Sequence, residues 1–199
     1  MGEGVLTAGF ARARGELHAE GISLDRIAAV VGTPTYVYAA GLIRERYCLL
    51  DSALSAVPHR LHYALKANSN RAVLRTLREL GSGVEVVSSG ELRRALRAGF
   101  GGADILFGGV GKSDDELREA LGADVAMINV ESEAEVRATG RLASELGVTA
   151  RVSLRVNPEV TVETAYAYIK TGERGHKFGI PYDEALQVAG GNGFMREFP

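Results

Sequence analysis

Lys66 is the residue whose type and position most directly suggest chemistry. The apolar run before it, residues 61–65, has the character of a buried strand, and the polar residues after it suit the start of a helix. Burial lowers the pKa of a lysine, and an uncharged amine can attack a carbonyl carbon to form a Schiff base. The alternative is a solvated charge at a strand end, and Lys66 alone does not decide between the two.

Other patterns in the sequence carry less chemistry. Residues 108–113 resemble a phosphate-binding loop, but that pattern requires glycine five positions before Gly111, where Leu106 stands. A tight turn between a strand and a helix is favoured, and an anion at the following helix start stays open. No metal is predicted, because the histidines lack metal-ligand spacing. The four histidines are His18, His59, His62 and His176.

The composition is that of an ordinary soluble protein. The 199 residues are 46% hydrophobic and 24% charged, with a formal net charge of −2, which allows one large domain or two small ones. No basic block indicates nucleic acid, and no apolar run approaches the roughly 20 residues that span a membrane. Residues 1–14 do not have the pattern of a signal peptide, and Cys48 is the only cysteine, so we expect a cytoplasmic protein.

From residue 60 onward the sequence repeats one strand–helix unit. Each apolar strand ends in small or polar residues, a helix follows, and glycine closes the helix. The predicted strands cover residues 61–66, 84–88, 104–108, 125–131 and 150–157, and the first four precede helices ending near residues 80, 98, 121 and 146. Three helix starts have serine followed three residues later by glutamate, the spacing of a capping box. Consecutive units of this kind predict an α/β protein with a parallel sheet.

An open doubly wound sheet and a closed (β/α)8 barrel both fit this repeat, and the strand composition favours the barrel. Alternation along residues 61–66 puts the larger apolar side chains on a face suited to helices. The same alternation puts Lys66 on the face suited to a crowded barrel lumen. Lys66 then projects at the C-terminal mouth, where barrel active sites are built.

The first 58 residues do not follow the repeat. They suggest an extended or hairpin segment over residues 15–21, a short helix over 23–31 capped by Ser23, a strand over 33–39 and a helix over 42–57. We expect three segments in the chain. These are an N-terminal segment (1–40), a partial barrel (41–189) and a tail (190–199).

Six ordered segments resemble one protein family. They are residues 63–70, which include the run Tyr-Ala-Leu-Lys-Ala-Asn, and residues 83–92, 107–113, 129–133, 154–159 and 176–180. In order and spacing they are similar to diaminopimelate decarboxylase, within the fold-type III pyridoxal-phosphate (PLP) decarboxylases. The resemblance covers about residues 15–185 and implies a (β/α)8 TIM-type barrel of the alanine racemase/ornithine decarboxylase type.

The resemblance implies roles for four residues and a cofactor. Lys66 would hold PLP as a Schiff base and exchange it for the amine of the substrate, meso-2,6-diaminopimelate, which loses CO2 to give L-lysine. Glu85 stands where the family usually has an aspartate near the cofactor. Ser89 lies at the mouth of the second strand, and Arg155 matches an arginine in the lumen. Helix capping by Ser89 and an ion pair for Arg155 stay open.

Several family features have no match in this sequence. About five of eight barrel strands are predicted. A histidine that stacks on the PLP ring, a phosphate-binding loop, an acid for the pyridine nitrogen and the C-terminal β-domain of the homodimeric family are unmatched. We therefore expect a truncated chain, weakly active or inactive alone, with an unpaired apolar edge on its fifth strand.

Three alternatives remain open at this point. The first is a non-catalytic PLP-binding or regulatory fragment that pairs with an intact decarboxylase. The second is a decarboxylase of another basic amino acid. The third is a barrel isomerase or racemase with Lys66 as its base.

Overall fold

The centre of the molecule is a five-stranded parallel sheet. The computed structural model describes residues 5–7, 9–157, 178–181 and 185. The strands follow one another in sequence order across the sheet, and each is aligned in parallel with the next. They are β5 (His62–Ala64), β6 (Gly83–Val86), β7 (Ile105–Phe107), β8 (Met127–Val130) and β9 (Val152–Leu154). This sequential parallel order confirms the predicted fold class, an α/β protein with about five strands of a barrel, and the three predicted segment boundaries stay predictions.

Four helices connect these strands and begin at polar caps. They are α3 (Arg71–Glu79), α4 (Ser89–Ala98), α5 (Asp114–Gly122) and α6 (Glu133–Leu146). The cap side chains of Asn70, Ser88, Ser113 and Ser132 each accept a hydrogen bond from a backbone N–H of the first turn. Of the three predicted capping boxes, only that of α5 is reciprocal, because Glu116 accepts from the N–H of Ser113.

The hydrophobic core lies between the parallel sheet and these helices. Its buried members run from Leu65 to Ala143, and fully buried side chains come from both strands and helices, such as Phe107 and Leu142. Burying such side chains removes apolar surface from water, which is the main favourable term in folding. The strands that carry the cleft residues described below are therefore held by packing from behind.

The fifth predicted strand, residues 150–157, is divided in two. Strand β9 ends at Leu154, and a second short strand, β10 (Val156–Asn157), follows Arg155. Strand β10 pairs in parallel with β11 (Ile180–Pro181), and the N–H of Ile180 donates to the carbonyl oxygen of Arg155 at 2.7 Å. The expected unpaired edge on the fifth strand is therefore wrong for β10, whereas β9 is the last strand of the five-stranded sheet in the described chain.

The N-terminal part of the chain forms a separate antiparallel sheet. Its strands, β1 (Val5–Thr7), β2 (Phe10–Ala13), β3 (Glu16–Ala19) and β4 (Ile22–Ser23), pair in sequence order. Helices α1 (Leu24–Val31) and α2 (Ala40–Ala53) follow. The extended or hairpin segment predicted over residues 15–21 is confirmed as extended, because it contains β3, which pairs with β2 and β4. The strand predicted over residues 33–39 is wrong, because those residues pair with no strand of the described chain.

Two further predictions differ from the structure or lie beyond it. Gly122 does not close a helix, because α5 continues through it and Asp124, with a φ of 50°, has the left-handed conformation instead. The tail 190–199 and residues 176–177 are outside the described residues. Among the helices that the structure describes, none combines the length and apolar character needed to cross a membrane.

Candidate functional site

A polar cleft opens at the C-terminal ends of the parallel strands. It has a volume of about 710 Å³ and takes side chains or backbone from every unit of the five-stranded sheet. Its lining residues are Lys66, Glu85, Val87, Gly108, Gly109, Val110, Asn129, Glu131, Ser153, Leu154, Arg155 and Phe178. Three of the four residues predicted for the site, Lys66, Glu85 and Arg155, are therefore brought together.

Lys66 lies two residues beyond β5, in a single 3-10 turn over Leu65–Ala67. Leu65 is fully buried and anchors this turn to the core. The Tyr63 hydroxyl donates to the Asn68 carbonyl oxygen at 3.2 Å, which braces the other end of the turn. The Lys66 side chain is exposed and has no hydrogen-bond or ion-pair partner within the described part of the chain, which agrees with the solvated alternative that the sequence left open.

Glu85 is half-buried on β6 and lies against the loop that follows β7. A Cβ atom on Gly108 would come within 2.9 Å of the Glu85 Oε1 atom. Gly108 is held in this position because its N–H donates to the Val86 carbonyl oxygen at 2.7 Å. The absence of a side chain on Gly108 therefore makes room for the glutamate carboxylate in the cleft.

Arg155 lies between β9 and β10 and is paired on both sides. Its Nη1 atom donates to the Glu131 Oε1 atom at 2.8 Å, and its guanidinium carbon lies 4.7 Å from the centre of the Phe178 ring. The second Glu131 oxygen accepts from the Gly179 N–H at 3.3 Å. Glu131 therefore ties the arginine to the segment that enters β11, and its own side chain is only 8% exposed.

Asn129 and Ser153 form a second polar contact in the cleft, deeper along the same strands. The Ser153 hydroxyl donates to the Asn129 Oδ1 atom at 2.5 Å across the aligned strands β8 and β9. Asn129, Glu131 and Ser153 were not predicted as site residues. Polar residues at alternate positions, 129 and 131 and again 153 and 155, face one side of otherwise apolar strands, and this pattern could have identified them.

Ser89 is the one predicted site residue that the structure places elsewhere. It is the first residue of α4 and does not line the cleft, and its backbone N–H donates to the Glu116 Oε1 atom at 3.3 Å. The helix cap is its neighbour Ser88, whose hydroxyl accepts from the Glu91 N–H. A cofactor contact by Ser89 stays a prediction.

Metal chemistry has no support in the residues that the structure describes. Within them no group of three or more histidine, cysteine, aspartate or glutamate side chains is arranged to hold an ion. The chemistry available in the cleft is that of one accessible amine, two carboxylates and one guanidinium, on a scaffold whose strand ends face a common opening.

A parallel sheet in sequential strand order, with polar side chains gathered at the C-terminal ends of its strands, is the arrangement of a (β/α) barrel enzyme. The sequence profile described as "Pyridoxal-dependent decarboxylase, pyridoxal binding domain" matches residues 40–192. Because this match covers more than half of the chain, the chain belongs to the pyridoxal-dependent decarboxylase family.

Relatives and solved structures narrow the family further. The diaminopimelate decarboxylase of Pseudomonas aeruginosa is 50% identical over 173 residues, which are 87% of this chain and 41% of that protein. The structure of diaminopimelate decarboxylase from Helicobacter pylori complexed with L-lysine has a TM-score of 0.78 at 38% identity, covering 83% of this chain and 42% of that one. The enzyme from M. jannaschii has a TM-score of 0.85 at 28% identity, covering 96% and 45%. The chain is thus a homologue of diaminopimelate decarboxylases that spans about two fifths of their length.

The residues of the cleft fit a pyridoxal group. Lys66 offers an amine that pairs with no other side chain among the described residues. An amine is the group that binds an aldehyde carbon. Gly108 and Gly109 keep side chains out of the adjacent wall, where a Cβ atom on Gly109 would lie 3.0 Å from the Val87 carbonyl oxygen. The cleft also presents both signs of charge to a polar, anionic cofactor.

Proposed function

We propose that this chain provides the lysine-bearing part of a PLP-dependent decarboxylase that converts meso-2,6-diaminopimelate to L-lysine and CO2. The observation that carries the proposal is the position of Lys66. It is an accessible amine at the C-terminal end of the first parallel strand, and it faces a cleft lined by Glu85, Glu131 and Arg155. The identity with diaminopimelate decarboxylases supports this choice of substrate.

Each cleft residue has a distinct task in this proposal. Lys66 would hold PLP through its Nζ atom, the amine that can form a Schiff base with an aldehyde. PLP, when bound, accepts the electron pair left behind as the carboxylate departs. Glu85 would offer PLP a carboxylate from the neighbouring strand, and Arg155, held by Glu131, would offer a guanidinium to anionic groups. Ser89 is retained as a proposed cofactor contact at the start of α4.

The charge of the cleft agrees with an amino-acid substrate. Diaminopimelate carries two ammonium and two carboxylate groups, and the cleft offers carboxylates from Glu85 and Glu131 and a guanidinium from Arg155. Charge-assisted hydrogen bonds to groups of both signs orient a substrate more strongly than neutral contacts do. We also propose the cytoplasm as its location, since Cys48 is the only cysteine and is exposed.

Trapping of the cofactor tests the first step. The 199-residue protein is mixed with PLP, reduced with borohydride and digested with a protease. The masses of the peptides are then measured by mass spectrometry. We expect the reduced pyridoxyl group on the peptide that contains Lys66 and no such adduct in Lys66→Ala. Labelling of another lysine in preference to Lys66, or no labelling at all, contradicts the proposed role of Lys66.

Turnover is tested in two proteins, because these 199 residues lack a match to several cofactor contacts of the family. We expect little CO2 release from diaminopimelate by the 199-residue protein itself. A fusion of residues 1–185 to the C-terminal portion of the P. aeruginosa relative should release CO2, and the same fusion with Lys66→Ala should not. A fusion that traps PLP on Lys66 yet releases no CO2 favours the non-catalytic binding alternative, and preference for lysine or ornithine favours another basic substrate.

A further inference from the structure

The ammonium of Lys112 lies buried directly behind the cleft. Its side chain is 2% exposed, and its Nζ atom donates to the carbonyl oxygens of Gly109 at 2.8 Å and Asn129 at 2.6 Å and to the Glu135 Oε1 atom at 2.9 Å. An ammonium group has three N–H donors. Each of them therefore has an acceptor at hydrogen-bond distance, and one acceptor carries the balancing negative charge.

These contacts join segments of the molecule that are distant in sequence. Gly109 belongs to the loop after β7, Asn129 to β8, and Glu135 to the first turn of α6. The second carboxylate oxygen of Glu135 accepts from the backbone N–H of Glu131 at 2.7 Å. The Lys112–Glu135 pair therefore fixes the backbone of three residues, Gly109, Asn129 and Glu131, that line the cleft.

The fixed backbone carries the polar side chains that face the cleft. Asn129 accepts from Ser153, Glu131 accepts from Arg155, and Gly108, next to Gly109, lies against the Glu85 carboxylate. A displacement of the loop after β7 or of the end of β8 would move all of these groups together. Lys112 itself does not line the cleft.

A buried ion pair of this kind is a weak explanation for stability alone. Hydrophobic residues of similar volume often replace such a pair with little loss, because desolvation of two charges offsets their attraction. What a hydrophobic replacement does not supply is three directed hydrogen bonds to defined backbone atoms. Geometry at the cleft is therefore the property that the pair distinctly provides.

We propose that Lys112 is a positioning residue of the cofactor cleft, acting through the Gly109 and Asn129 carbonyl groups and, by way of Glu135, through the backbone of Glu131. This inference rests on the proposed function, because the cleft residues that Lys112 positions are those proposed to bind PLP. The role differs from that of Lys66, which contacts the cofactor.

The test compares Lys112→Met with a matched core variant in the 199-residue protein. Leu117→Ala removes a fully buried side chain of α5 that does not line the cleft. The PLP concentration that gives half-maximal trapping on Lys66 should rise at least tenfold in Lys112→Met and change less than twofold in Leu117→Ala. Hydrogen exchange, measured without PLP, should accelerate in peptides over residues 108–112 and 129–131 of Lys112→Met and stay unchanged over 71–79.

Glu135→Gln is the second variant and keeps the shape and one acceptor oxygen. It should fold and weaken PLP trapping by a smaller factor, between twofold and tenfold. The proposal is overturned if Lys112→Met binds PLP within twofold of the original protein, or if Leu117→Ala loses as much affinity. It is also overturned if neither Lys112→Met nor Glu135→Gln unfolds cooperatively, because the pair then serves the fold itself. Failure of the unaltered protein to trap PLP is a different result and contradicts the proposed function instead.

Discussion

The N-terminal part of this chain (residues 9–53) and the parallel part (residues 62–154) differ in how much of their apolar surface is buried. Helices α3 to α6 each bury at least three residues against the parallel sheet, whereas α1 and α2 bury none. Among the residues from 9 to 53, the buried apolar side chains are Ala19 and Ala39. Large apolar side chains of the N-terminal part, such as Val30 at 77% and Leu49 at 60%, remain exposed.

The same contrast appears at the helix starts. Ser23 occupies the cap position of α1 but makes no side-chain hydrogen bond there, whereas Ser113 and Glu116 satisfy each other's backbone N–H groups at the start of α5. An amphipathic pattern predicts a helix in both parts, but only the parallel part provides a surface that covers it. The cleft is built entirely on the well-packed part, which suits a site that needs fixed geometry.

The largest expected difference between the two parts comes from leucine truncation. Leu92→Ala in α4 removes a fully buried side chain and should lower the free energy of unfolding by about 2–5 kcal/mol. Leu49→Ala in α2, where the side chain is 60% exposed, should change it by less than about 0.5 kcal/mol. Urea unfolding followed by circular dichroism measures both. Equal losses would show that α2 is packed as tightly as α4 and would remove the contrast.

A smaller difference is expected from the two serine caps. Ser113→Ala removes a hydroxyl that accepts from the Glu116 N–H and should lower the free energy of unfolding by about 1 kcal/mol. Ser23→Ala removes no capping hydrogen bond and should lower the free energy of unfolding by only about a few tenths of a kcal/mol. The shift of the urea midpoint in each variant decides the matter, and a larger loss from Ser23→Ala contradicts the comparison.

The smallest expected effect is a pH dependence that arises at Glu116, at the start of α5. Backbone N–H groups of Ser113 and Ser89 and the Ser113 hydroxyl hold the pKa of the Glu116 carboxyl below its usual value, although partial burial opposes them. The unfolded chain therefore binds more protons at acid pH, and this stabilisation is present above the unfolded pKa of about 4.3 and lost as pH falls through the folded pKa.

Glu116→Gln isolates that contribution. The unaltered protein should exceed Glu116→Gln in free energy of unfolding at pH 7 by up to about 1 kcal/mol, and the gap should close as pH falls below about 4. Urea titrations at several pH values measure the gap. Asp115→Asn, in the same helical turn but with a side chain 95% exposed, is the matched control. A gap that stays constant with pH argues against the role of Glu116.

Local patterns predicted most of the parallel part. Asn70, Ser88, Ser113 and Ser132 begin helices as their types indicate, and Gly99 and Gly147 end them in the left-handed conformation. The strands were predicted to be longer than they are, because apolar residues continue past the last hydrogen bond to a neighbouring strand. Lys66, for example, was assigned to a strand but lies in a 3-10 turn. The residues at which a strand begins and ends depend on its pairing with neighbouring strands, and the sequence of one strand does not reveal that pairing.

The site was predicted in part for a related reason. Lys66, Glu85 and Arg155 were identified by resemblance, and the cleft contains all three. Glu131 and Lys112 were missed, because their partners, Arg155 and Glu135, lie 24 and 23 residues away along the chain. The sequence left burial or exposure of Lys66 open, because exposure depends on which other segments cover the cleft mouth, and the strand alone does not reveal that.

Because Glu85 lies close to Gly108, the side chain at one of these positions affects the side chain at the other. With a glutamate at position 85, a methyl group at position 108 would place its Cβ atom 2.9 Å from Oε1, so the flexible end of the glutamate side chain would have to move. A shorter aspartate at position 85 would leave that space free. An alanine at position 108 is therefore expected to turn the Glu85 carboxylate away from the loop after β7, which would change where this negative charge lies in the cleft.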